Sequence, residues 1–155
     1  MKSMRVTGIL TLLVGFTALT LLVWTGVASV SAESERSGDL HLVKDCSAYT
    51  GAPGSSCTFI SSNLPEIPAG SKIYVDQAAG IPTGFLDSDV MINVATGDWA
   101  VGHCTLDLTT HLGLCKFSDG TGQLTGFTAR LVVTPAGGRD FHYDGTYSFN
   151  RETDR

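Results

Sequence analysis

Few residues in this chain combine type and spacing in a way that could do chemistry. Asp87 and Asp89 stand two apart, so in a strand they share one face and could act as an acidic pair. His103 and His142 each sit mid-strand among apolar neighbours, where an imidazole can serve as acid and base near neutral pH. Arg130 could hold a ligand carboxylate bidentately. Tyr74, Trp99, Tyr143 and Tyr147 carry a polar handle on an apolar ring, which suits the wall of a pocket for a small organic molecule. Each has a plainer reading. Carboxylates at a strand start stay solvated, a strand arginine points outward, a lone histidine is structural, and the aromatics pack a core. Strand parity alone does not say which face is inward. G-x-S-x-G and H-E-x-x-H are both absent, so neither an esterase-type elbow nor a zinc-peptidase helix is present. No catalytic set and no cofactor is assigned.

Cysteine is the more informative residue type. Cys46 and Cys57, and likewise Cys104 and Cys115, are separated by ten residues. Four cysteines allow three pairings, and the repeated spacing selects Cys46–Cys57 with Cys104–Cys115. A turn centred between Thr109 and Thr110 places Cys104 opposite Cys115 across a hairpin, within the Cα separation that a disulfide spans. His103 and His111 near this pair raise the possibility of zinc. No C-x-x-C accompanies them, and an oxidising compartment favours the disulfide, so no metal site is expected.

The elements that must position these residues are strands. From Phe127, the residues Phe127, Ala129, Leu131 and Val133 alternate with Thr128, Arg130, Val132 and Thr134, and Pro-Ala-Gly-Gly at 135–138 ends the run. Phe141, Tyr143, Tyr147 and Phe149 then alternate with His142, Asp144, Thr146 and Ser148. Gly145 falls on the aromatic side, which marks a bulge, a bend or a close approach. Upstream, strands are expected over 39–44, 57–61, 71–77, 85–95, 99–108 and 112–117. The first sets Leu40 and Leu42 against His41 and Val43. The segment 63–70, NLPEIPAG, carries two prolines and is a loop. No amphipathic helix is visible after the leader. About eight short strands with regular turns indicate a sandwich or a barrel, and eight antiparallel strands close a barrel that holds side chains or one small ligand.

Glycines at 120, 122 and 126 are followed by a strand-like run, not a helix, so a phosphate-cradling loop is not expected. The stretch FSDGTGQLTGFTA resembles the F-x-G-G-T-G-x-F-x-G-A-x-G signature of allene oxide cyclase and dirigent barrels. Phe117, Gly120, Thr121, Gly122 and Gly126 match it. Leu124 stands for the second aromatic, Asp119 replaces a glycine, and Phe127 and Ala129 stand where small residues are expected. The closing YDGTYSF is similar to the last strand of such barrels. The resemblance implies a single antiparallel eight-stranded barrel, a cyclase or isomerase activity as one option, and a homo-oligomer, often a trimer. Cyclases of that kind use a Glu and an Asn on an early strand. Here Asn63 and Glu66 lie in the proline loop, so that mechanism does not carry over.

Lys2 and Arg5 precede an apolar run, Val6 to Val30, that closes on Ser31-Ala32. This is the pattern of a secretory signal peptide with cleavage after Ala32, the alternative being a retained membrane anchor. Residues 33–38 then form a flexible lead-in and 39–155 the barrel domain. Without residues 1–32, 123 residues remain, with 8 basic against 15 acidic groups and a net charge of −7. Nucleic acid and anionic membrane surfaces are therefore not expected partners. The sequence points to an exported, disulfide-stapled barrel that binds a small, largely apolar molecule inside. The alternatives are a cyclase or isomerase, and a ligand-free surface module.

Overall fold

A computed structural model describes residues 36–150, apart from position 82. The expected signal peptide and its expected cleavage after Ala32 lie outside the described residues. Eight strands follow one another: β1 (Arg36–Asp45), β2 (Ser56–Ser62), β3 (Lys72–Val75), β4 (Phe85–Asn93), β5 (Trp99–Asp107), β6 (Gly113–Gly120), β7 (Phe127–Gly137) and β8 (Asp140–Phe149). Each pairs antiparallel with the next, and β8 pairs with β1 to close the barrel. Sequential strands with short turns form this meander because closure leaves no unpaired edge.

Alternation fixes the two faces. On β4, Leu86, Ser88, Val90 and Ile92 are buried while Phe85, Asp87, Asp89 and Met91 are exposed. Leu40, Leu42, Phe59, Ile73, Ile92, Phe127 and Leu131 are at most 1% exposed and fill the middle of the barrel, so no channel runs through it. One end is closed by Leu64 and Ile67 of the β2–β3 loop and by Leu124 of a single 3-10 turn, Gly122–Leu124. The proline loop thus contributes to the core, although its prolines keep it out of the sheet.

Both expected disulfides are present, Cys46–Cys57 and Cys104–Cys115, with Cα–Cα distances of 4.4 and 4.1 Å. Cys104 stands directly opposite Cys115 in the β5–β6 ladder. The turn between them is centred as the spacing requires, and Asp107 accepts the backbone N–H groups of Thr109 and Thr110 at 2.7 and 3.1 Å.

Several strand boundaries differ from expectation, those of β1 and β7 among them. Arg36, Ser37 and Gly38, read as lead-in, pair with Phe149, Ser148 and Tyr147 of β8. Polar residues extend the strand here because the ladder needs their backbone, not their side chains. β7 continues through Pro135 to Gly137, with a bulge between them that accommodates the missing N–H. Gly122, in the glycine-rich stretch, has φ 54°, and a side chain there would collide with the Asp98 carboxylate. That glycine turns the chain, and its neighbourhood forms a three-residue 3-10 turn, too short to present a phosphate site.

Candidate functional site

The open end of the barrel holds the site. Here β1, β4, β5 and β8 deliver Lys44, Leu86, Leu106 and Phe141 to a cavity of about 290 Å³. The Cys46–Cys57 bridge, Val75, Leu108 and the rim residues Tyr49, His111 and Arg139 complete its wall. The rim is tied together through its backbone. The Cys46 N–H donates to the Arg139 carbonyl at 3.0 Å, and the Arg139 guanidinium donates to the Tyr49 carbonyl at 2.8 Å.

Lys44 is the chemically distinctive residue. It shares its inward parity with Leu40 and Leu42 and is only 6% exposed. Its Nζ donates to the Tyr143 phenol oxygen at 2.6 Å, with the Tyr143 ring centroid 4.6 Å and the Phe141 centroid 5.5 Å away. Among the described residues Nζ makes no ion pair. Burial in this apolar surrounding pushes the Lys44 ammonium down to about 7, because the charge loses its hydration and no ion pair replaces it among the described residues. Burial likewise raises the Tyr143 phenol above its ordinary value, so it stays protonated at neutral pH. A neutral primary amine beside a protonated phenol is thus available at the cavity wall.

Two rim groups add polarity. The Tyr49 hydroxyl is buried and makes no hydrogen bond among the described residues. His111 adopts φ 58°, a left-handed conformation seldom taken by residues other than glycine and asparagine, and its ring packs edge-on against Phe141 at 5.9 Å. No carboxylate lines the cavity.

The residues singled out from sequence divide into three places. Tyr143 lies inside, bonded to Lys44. Asp87, Asp89 and His103 meet on the outer wall. His103 stands opposite Asp89 across β4–β5; its Nδ1 is 2.8 Å from Asp89 Oδ1 and its Nε2 is 2.6 Å from Asp87 Oδ1. Hydrogen bonds to Asp89 and then Asp87 raise the imidazole above its ordinary value. All three side chains are at least half exposed, which makes this a solvated surface cluster. Tyr74 and Trp99 also face outward, with Met91 and Val101 between them in the ladders, as an exposed apolar patch. Arg130 is exposed on β7, and Tyr147 is half-buried against Phe149 and Gly38. These two line a broad, open groove of about 680 Å³ with Lys116 and Asp39. His142 is exposed. The interior therefore does not contain Tyr74, Asp87, Asp89, Trp99, His103 or Arg130.

Asn63 and Glu66 serve the fold. Asn63 accepts from the His41 N–H at 2.8 Å and donates to the Asp39 carbonyl at 3.0 Å. Glu66 pairs with Arg36 at 2.7 Å, and Arg36 lies over the Phe149 ring. Gly145 sits where a side chain would run into the Arg130 carbonyl, so its role is the close approach of β7 and β8.

Lys44 went unrecognised in the sequence, yet a signal existed. Its position continues the Leu40–Leu42 series at the same parity, and a lysine closing an inward series is either a strand end in solvent or a buried amine.

Among the described residues, no helix is long and apolar enough to cross a membrane. No known protein family, curated protein or solved structure matches the chain.

Proposed function

We propose that this chain is an exported, disulfide-stapled β-barrel that binds a small, largely apolar molecule in the cavity at its Lys44 end. The observation that carries the reading is the cavity itself. Its roughly 290 Å³ are walled by Val75, Leu86, Leu106, Leu108 and a disulfide, with Lys44, Tyr49 and His111 converging on it. Ligand sites combine an apolar wall with a few placed polar groups, and this volume of about 290 Å³ lies just under the lower bound of their usual range, about 300–1,000 Å³, which suits a small molecule. Two disulfides agree with an oxidising destination, which supports export. Kinship with the allene oxide cyclase and dirigent barrels belongs to the same reading and rests on the Phe117–Ala129 stretch.

A cyclase or isomerase is the second reading, favoured by one observation: the Lys44–Tyr143 pair places two titratable groups 2.6 Å apart. A ligand-free surface module is the third, and the close packing of the barrel's middle is what supports it.

Titration with a fluorescent apolar probe such as N-phenyl-1-naphthylamine tests the reading. Saturable one-to-one binding by the folded protein is the expected result, with a higher Tm as ligand rises. At a hundredfold excess over Kd the stabilisation is about 2.7 kcal/mol. Absence of saturable binding for the probe, octanol and a terpenoid would overturn it.

A further inference from the structure

The cavity wall offers an unusual nucleophile. A lysine at a barrel mouth ordinarily extends its ammonium into water. Lys44 instead is buried under Phe141 and beside Tyr143, with no carboxylate on the cavity lining to balance a charge. Its one hydrogen bond among the described residues goes to a phenol, a group that can both accept and return a proton. The adjoining space is apolar and lies at the end of the barrel, where a small molecule can reach it.

We propose that Lys44 captures an apolar aldehyde in this cavity as an imine. The inference rests on the reading that the cavity takes apolar molecules, and it names the chemical class. The Nζ lone pair attacks the carbonyl carbon and forms a C–N bond. The carbonyl π pair moves to oxygen, which takes a proton, while the nitrogen loses one. Tyr143, 2.6 Å from Nζ, is placed to pass that proton and is unchanged at the end. The carbinolamine hydroxyl then takes a proton and leaves as water while the nitrogen lone pair closes the C=N bond, and the nitrogen gives up its remaining proton to replace the one used. Amine and aldehyde give imine and one water, with no oxidant or reductant consumed.

Burial supports the chemistry. Because the apolar surrounding lowers the Lys44 ammonium to about 7, a large share of the amine is neutral near neutral pH. The exposed Lys72 and Lys116 provide an internal comparison in the same molecule.

The test uses the disulfide-intact protein with octanal at pH 7.5, followed by borohydride reduction, intact mass and peptide mapping. One secondary-amine adduct is expected, on Lys44, whose neutral fraction at pH 7.5 exceeds that of an ordinary solvated lysine roughly 600-fold, with Lys72 and Lys116 little modified. Octanol should compete with it. Lys44→Met should abolish the adduct, and Tyr143→Phe should slow capture about tenfold or more. The wild-type peptide map decides even where a variant fails to fold. Saturable octanol binding with octanal spread over Lys72 and Lys116 would overturn imine capture and leave the binding reading standing. Failure of octanol to bind at all, with Lys44 unmodified, would overturn both.

Discussion

The Lys44 amine and the Tyr143 phenol form a 2.6 Å hydrogen bond inside the barrel, one strand apart across the β1–β8 seam that closes it. The closing seam therefore contains an ionisable group in an apolar setting. Its folded-state value, about 7, lies below the ordinary 10.5 of an unfolded lysine. Between those limits the unfolded chain binds more protons, so stability gains from Lys44 as pH rises from about 7 towards 10 and is flat below 7. The gain approaches about 1.4 kcal/mol per pH unit at most. We predict that Lys44→Met removes this slope, as measured by urea unfolding at pH 7, 8 and 9. An identical slope in wild type and variant would mean that the amine is solvated.

His103 behaves in the opposite sense. Its imidazole is raised by Asp89 and Asp87, so its contribution is fully present below about pH 6.5 and disappears as pH passes the folded value. Half of the side chain is in water, which screens the pair and limits the effect to about 1 kcal/mol. His103→Gln should therefore cost stability at pH 5.5 and nothing at pH 9. It should leave probe binding unchanged, because the cluster is on the outer wall.

The Cys46–Cys57 bridge both closes the β1–β2 loop and walls the cavity. Replacing both cysteines by alanine should lower stability by about 3 kcal/mol, the entropy of a loop of this length, and weaken probe binding. Unfolding by guanidinium and probe titration on the same sample read the two effects separately. Cys104 and Cys115 lie away from the cavity lining, and their double replacement should lower stability by a similar amount with binding retained.

Arg130 and Trp99 lie outside the cavity, although their sequence settings admit a pocket role. Arg130→Ala and Trp99→Phe should leave the probe's Kd within about twofold. Trp99 emission should not respond to octanol, which absorbs no tryptophan emission. A shift of Trp99 emission in step with octanol binding would place the ligand on the outer patch of β3–β5.

What the sequence made legible followed from local rules. Period-two alternation identified β1, β7 and β8, β-rich runs between turn signals identified the other five strands, and the equal spacing of Cys46–Cys57 and Cys104–Cys115 set both bridges and one hairpin register. The division of faces was not legible, because Asp87 and Asp89 share a face whether that face is wet or dry. What decides it is Leu86, Val90 and Ile92 on the other face, in contact with strands distant in sequence. Aromatic rings misled for the same reason: Tyr74 and Trp99 suit a pocket or a surface patch, and only barrel closure distinguishes them. Lys44 was hidden by its charge. Composition places a lysine outside, while parity places this one inside, and the tertiary fold follows parity.

The central claim, an apolar site at the Lys44 end, is tested most directly by methyl NMR during titration with octanol. Shifts should concentrate at Val75, Leu86, Leu106 and Leu108, with the packed residues Leu40, Ile73 and Ile92 nearly unmoved. Shifts confined to Met91 and Val101 on the outer wall, or none at saturating octanol, would contradict it.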